Sequence, residues 1–119
     1  MTANLKQTFS MITWNDFEKI ELKAGTIIEA EDFPKAKKPA YKLRVDFGAF
    51  GIKQSSAQIT DHYHKEELIG KQIIAVVNFP PKQIADFFSE CLVLGVYDEN
   101  KQVILLRPDQ QVTNGQPIG

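Results

Sequence analysis

An all-β fold, a small five-stranded barrel, is predicted by three features of the sequence. Tyr41, Leu43, Val45 and Phe47 alternate with Lys42, Arg44 and Asp46, the period of two of a strand with one buried face. Residues 72–79 (QIIAVVNF) and 91–97 (CLVLGVY) are apolar on both faces, as strands within a closed sheet are. The one stretch suited to a helix between strands, from Thr60 to Leu68, is short. At 119 residues and 13.5 kDa the chain has room for one core and not for two.

Residues 1–13 are polar with scattered apolar positions and are expected to form an arm ahead of the barrel. Asn15-Asp16-Phe17-Glu18 reads as a capping box, with Asn15 as the cap and Glu18 three residues on, over about one turn of helix. From Ile20 the pattern is strand-like, but Gly25 and the pair Ile27-Ile28 break its phase, which marks a bulge or bend in a long first strand. Phe33 to Pro39 is a proline-bracketed loop, 41–47 the second strand, Gly48 to Gly51 a turn, and 52–59 the third strand. Thr60-Asp61 is placed to cap the short helix through Leu68, with Gly70 ending it. After the apolar strand 72–79, residues 80–88 read as a loop with one helical turn. Asp98-Glu99-Asn100 reads as a hairpin turn, with Asn100 able to take a left-handed conformation, between strands 91–97 and 103–106. The tail from Pro108 has its own turn at Asn114-Gly115. Five strands with a helix between the third and fourth is the order of an OB-fold barrel.

Doubly apolar strands in so small a barrel leave side chains outside the core; depending on phase, these are Ile74, Val76, Val93 and Leu106. A homodimer is the simplest cover for such a surface. A formal charge of −1 provides no global basic field for nucleic acid or anionic lipid. No stretch approaches the roughly 20 apolar residues of a membrane span, and the first residues lack the apolar block of a secretory signal. The expectation is a cytoplasmic protein that does not insert into membranes.

Chemistry of the catalytic kind finds no foothold. His62 and His64 lie two apart, so on a helix they diverge and cannot grip one metal. Cys91, the one cysteine, opens an apolar strand and reads as a buried inert thiol. No glycine loop has the lysine and spacing that cradle phosphate. The chain is therefore expected not to be an enzyme and to need neither cofactor nor metal.

What remains is a binding surface. Gln54, Ser56 and Gln58 align on one strand face, either a solvated face or a row of donors and acceptors for a ligand's backbone. Asn78 ends an apolar strand, as a clasp for the next loop or as a ligand contact. With Phe79, Pro80 and Lys82 these make the candidate polypeptide-binding set. One ring of Phe87-Phe88 is expected in the core, leaving the other for a pocket. Between Pro34 and Gln54 lie Lys35, Lys37, Lys38, Lys42, Arg44 and Lys53 against Asp46 alone, a local excess of +5. That run is either a solvated face or a patch for a polyanion.

The order and spacing of several strings resemble the tRNA-binding domain family, found as the C-terminal module of bacterial methionyl-tRNA synthetases and in the cytokine-precursor domain of animal synthetase complexes. They are Asp16-Phe17-Glu18-Lys19-Ile20-Glu21-Leu22-Lys23-Ala24-Gly25-Thr26-Ile27, Tyr41-Lys42-Leu43 with Val45-Asp46, Glu67-Leu68-x-Gly70-Lys71 and Leu105-Leu106-x-Pro108-Asp109. The resemblance covers residues 14–119. Gly51-Ile52-Lys53-Gln54-Ser55-Ser56-Ala57-Gln58-Ile59-Thr60 and Ala75-Val76-Val77-Asn78-Phe79-Pro80-Pro81 are similar to a stand-alone, secretion-related chaperone branch of that family. This implies a homodimeric OB-fold that binds unfolded or precursor polypeptides and assists export, with an export motor among its partners. Where tRNA-binding members resemble one another in Ser-x-Gly-Met, this chain has Ser89, Glu90, Cys91 and Leu92. The serine is kept, which adds Ser89 to the lysine set as an RNA candidate. The glycine and methionine are not, and Glu90 adds a negative charge, so any tRNA binding is expected to be weak.

Overall fold

Strand β1 (Leu22–Asp32) is the spine of the molecule, because its two halves pair with different neighbours. The computed structural model describes residues 10–119; of the arm expected at 1–13, residues 1–9 lie outside them. The first half of β1, Leu22 to Thr26, pairs antiparallel with β4 (Gln72–Val76), and the second half, Thr26 to Asp32, with β2 (Tyr41–Asp46). β2 pairs in turn with β3 (Ile52–Ala57), and β4 with the short β7 (Leu92–Val93), giving the sheet order β3-β2-β1-β4-β7. The sheet curls until β3 meets the far end: the Glu90 amide donates to the Gln54 carbonyl at 2.8 Å, and the Ser55 hydroxyl to the Cys91 carbonyl at 2.9 Å. The result is the OB-fold barrel that the strand order predicts.

The expected phase slip in β1 is a bulge between Ile27 and Glu29. Ile27 is in the core and, past the bulge, Ala30 packs on the core again. The extra residue thus turns Glu29 and Glu31 outward, where an uninterrupted alternation would have turned them in. Gly25 serves packing: a Cβ there would lie 2.7 Å from two atoms of the Phe47 ring and 2.8 Å from Val45.

Several local expectations are corrected. α1 (Trp14–Glu18) is capped by Thr13 rather than Asn15, with Asp16 closing the box: the Asp16 amide donates to the Thr13 hydroxyl and the Thr13 amide to the Asp16 carboxylate. α2 (Lys65–Leu68) starts from His64, whose amide donates to Glu67, not from Thr60-Asp61. Residues just before it are held differently, since the Tyr41 hydroxyl donates to the Tyr63 carbonyl and the Leu105 amide to the Tyr63 hydroxyl. Gly70, at φ +88°, does end that segment.

The predicted loop with a helical turn at 80–88 is instead a hairpin, β5 (Lys82–Ile84) and β6 (Phe87–Ser89), turning on Ala85 at φ 54°. Cross-strand pairing of Ile84 with Phe87 and Gln83 with Phe88 outweighs a helical turn too short to hold itself. The single strand read at 91–97 is two. β7 ends on β4, Leu94 donates to Ile74 and accepts from Leu106, and β8 (Gly95–Tyr97) pairs with β9 (Val103–Leu105). In that last turn the left-handed residue is Lys101, not Asn100, because the Asp98 carboxylate takes the amides of Asn100 and Gln102.

Of the four residues considered for the outer surface, Val76 is buried, and Ile74, Val93 and Leu106 are half-buried. The exposed apolar side chains at this end are Leu92, Val96, Ile104 and Tyr97, the last 75% exposed. The tail turns at Asn114-Gly115 and runs back antiparallel beside the start of β1, bridging Lys23 and Pro117. It fills the β1 edge that β2 leaves unpaired.

Candidate binding groove

The outward face of β1-β2-β3 is laid out by strand register. Glu29 stands opposite Arg44 and Arg44 opposite Gln54; two residues along, Glu31 stands opposite Lys42 and Lys42 opposite Ser56. Each rung therefore carries a carboxylate, a cation and an uncharged polar group. The face is the floor of a groove of about 290 Å³ lined by Glu29, Glu31, Lys42, Leu43, Arg44, Gln54 and Phe87.

One end is walled by the contact between the loop at 33–40 and the β5–β6 hairpin. The Phe33 and Phe87 rings meet edge-on, with centroids 5.4 Å apart, and the Lys35 ammonium donates to Asp86 at 2.6 Å. That hydrogen bond, and then the attraction of the opposite charge, raises the pKa of Lys35 and lowers that of Asp86. Both groups are exposed, so the pair fixes the loop's position more than it stabilises the fold. The Lys42 ammonium lies 5.6 Å from the Phe33 ring centre and 6.0 Å from that of Phe87, within cation–π range.

The structure regroups the residues singled out in the sequence. Gln54 and Ser56 from the polypeptide set share two rungs with Lys42 and Arg44 from the polyanion set. The Gln54 side-chain amide also donates to the Phe88 carbonyl at 2.9 Å, which ties the hairpin to β3. Gln58 lies past the end of β3, and Lys53 stands opposite Val45, a core residue, so it belongs to the other face. Lys37 and Lys38 are exposed on the loop, and Lys82 on the hairpin.

Asn78 is a clasp. Its side chain accepts from the Glu21 amide at 3.0 Å and donates to the Lys19 carbonyl at 2.8 Å. It holds the backbone just ahead of β1, eight residues before Glu29, and does not line the groove. Exposed Phe79 and Pro80 follow Asn78 and do not line the groove. Ser89 accepts from the Ser56 amide at 3.2 Å and donates to the Cys91 carbonyl at 3.2 Å, so its hydroxyl helps close the barrel.

Neither ring of Phe87-Phe88 joins the core, against expectation: Phe87 is half-buried and reaches the groove, while Phe88 is exposed, because the hairpin lies outside the barrel. Sequence reasoning missed Glu29, Glu31 and Asp86. The first two face the groove only because of the bulge, and Asp86 meets Lys35 only because residues 80–88 form a hairpin.

His62 Nε2 lies 2.7 Å from the Asp98 carboxylate, and no group of three metal-ligating side chains gathers among the described residues. Burial pushes the Cys91 thiol up to about 11, which keeps it protonated and unreactive at neutral pH.

The five-stranded OB barrel with its mixed-charge groove has the architecture of a known class of small domain. Residues 22–117 match the family described as "Putative tRNA binding domain", and the chain belongs to that family. It is similar to the crystal structure of chaperone CsaA from Bacillus anthracis str. Ames, with 51% identity, a TM-score of 0.88, and coverage of 92% of this chain and 100% of that one. The CsaA chaperone protein of Picrophilus torridus is similar at 57% identity and a TM-score of 0.86, with the same coverage. Methionine–tRNA ligase of Methanococcus aeolicus is 42% identical over 94% of this chain, which spans only 16% of that relative's length. No helix among the described residues is long and apolar enough to cross a membrane.

Proposed function

We propose that this chain is a non-enzymatic chaperone that holds unfolded or precursor polypeptides and assists their export from the cytoplasm. The observation that carries this reading is the make-up of the groove. Gln54 and Ser56 offer donors and acceptors for a backbone, Phe87 offers an aromatic wall for apolar side chains, and charges of both signs meet polar flanks. The likeness to CsaA chaperones over nearly the whole chain supports it. The test is the binding of a permanently unfolded polypeptide, with suppression of aggregation of a heat-labile enzyme alongside. Replacing Phe87 and Gln54 together with Ala is expected to weaken polypeptide binding about thirtyfold, the scale of losing a central aromatic anchor. Retained binding in a variant whose circular dichroism matches the parent would remove the groove from the proposal.

The proposed working form is a homodimer joined through Leu92, Val96, Tyr97 and Ile104, an exposed apolar group at the β7–β9 end. Sedimentation is expected to give twice the 13.5 kDa of the chain. The Val96→Glu/Ile104→Glu pair should halve that mass; a parent that sediments as one chain would refute the dimer.

A second reading, a module recognising tRNA, is favoured by family membership and by exposed Lys37 and Lys38 beside the groove. Reversing both charges would cripple tRNA binding and only dent polypeptide binding.

A further inference from the structure

The lysine-rich segment, +5 when counted along the sequence, is answered in part by carboxylates in space. Lys35 is held by Asp86, Arg44 Nε lies 3.6 Å from Glu29, and Lys42 stands between Glu31 and Ser56. The two groove-facing cations thus stand opposite two groove-facing carboxylates on the neighbouring strand, Arg44 in contact with Glu29 and Lys42 a rung-mate of Glu31. The Glu29–Arg44 contact is longer than a hydrogen bond and both side chains are about half exposed, so it adds little to strand pairing. Its larger consequence is for what enters the groove. A phosphate approaching Arg44 or Lys42 meets a carboxylate one strand away, about 5 Å across the sheet, and every successive phosphate along the face meets the same. A polypeptide, with a neutral backbone and sparse charge, meets no such repeated repulsion.

We infer that Glu29 and Glu31 are specificity-determining residues that exclude polyphosphate backbones from the groove and so reserve it for polypeptide. This deepens the chaperone reading and rests on it. Specificity of this sort requires a repulsive element as well as an attractive one, and β1 supplies it on the rungs where the cations stand.

The test is a Glu29→Gln/Glu31→Gln chain titrated into fluorescently labelled tRNA at several salt concentrations, with an unfolded, alkylated polypeptide titrated in parallel. A Glu66→Gln/Glu99→Gln chain carries the same change in net charge away from the groove. Freed of their carboxylates, Lys42 and Arg44 can each neutralise a phosphate. The slope of log affinity against log salt should then steepen by about two, and tRNA affinity at low salt should rise about tenfold or more. The Glu66/Glu99 control should change neither. An unchanged slope and affinity in the Glu29/Glu31 variant would overturn the inference, as would an equal gain in the control. These outcomes are ratios of variant to parent and do not depend on whether the parent binds polypeptide. Failure of the parent to bind polypeptide would instead overturn the chaperone reading.

Discussion

Replacing Phe47 with Ala is expected to remove about 3–5 kcal/mol of stability, the range for deleting a buried aromatic ring. Among the described residues Phe47 is the largest side chain with no exposed surface, at 0%, and its ring fills the space that Gly25 leaves open on β1. A domain of this size has roughly 5–15 kcal/mol in all, so the variant would lose at least about a fifth of it, and nearly all of it at the lower end of that range. In urea the midpoint should fall while the slope stays that of the parent, since the same surface is exposed on unfolding. Gly25→Ala attacks the same contact from the other side. Its new Cβ would lie 2.7 Å from the ring and force a shift costing about 1–3 kcal/mol. Combining Gly25→Ala with the smaller Phe47→Leu should cost less than the two single changes summed, because the methyl then has room. Strict additivity would show that Gly25 and Phe47 are not packed against each other.

The Gly25–Phe47 contact also shows where the sequence is legible. The second strand was readable to within a residue because its alternation is local and one face is buried. The first strand's bulge was readable because a glycine and a doubled isoleucine break a period. That Gly25 is a seat for Phe47 was not, since the two are 22 positions apart and only the folded sheet brings them together. The misassigned caps have a different cause. Thr13 and Asn15, or Thr60, Asp61 and His64, are all chemically able to cap, and tertiary bonds such as those of Tyr63 decide which one does.

The site divides along the same line. Gln54, Ser56, Lys42 and Arg44 were visible as residue types, and their sharing of rungs follows from a register that no local pattern states. Glu29 and Glu31 look like ordinary charges in a strand until the bulge aims them. Asn78 was recognisable as an amide that needs partners, and its partners are backbone groups of residues 19 and 21.

Gln72→Leu is expected to release the tail from β1 while leaving the barrel folded. Gln72 is 2% exposed, and its side chain makes three bonds of 2.7–3.0 Å. Nε2 donates to the Val112 carbonyl and to Asn114 Oδ1, and Oε1 accepts from the Val112 amide. Leucine has a similar volume and none of these groups, so the cost is that of stranded polar partners, about 1–3 kcal/mol for each that water cannot reach. Beyond this anchor the tail is held by one further side-chain bond, from the Thr26 hydroxyl to Asn114 Oδ1 at 2.8 Å, and by backbone bonds. Gly115 donates to the Ala24 carbonyl, Ala24 to the Gln116 carbonyl, and Ile118 to the Leu22 carbonyl. With local opening easier by about 3 kcal/mol, exchange of the Ala24, Gly115 and Ile118 amides should accelerate about a hundredfold. The Leu43 and Val45 amides, in the other half of the sheet, should exchange at the parent's rate. Faster exchange there too would mean that tail and barrel open as one unit. The groove sits on the half of β1 that pairs with β2, so polypeptide binding should survive the loss of the tail. The bared edge at Leu22 to Ala24 would meanwhile offer unpaired amides and carbonyls to another chain. The variant should therefore aggregate more readily than the parent while its groove still binds, which separates the tail's work of covering an edge from the groove's work of holding a ligand.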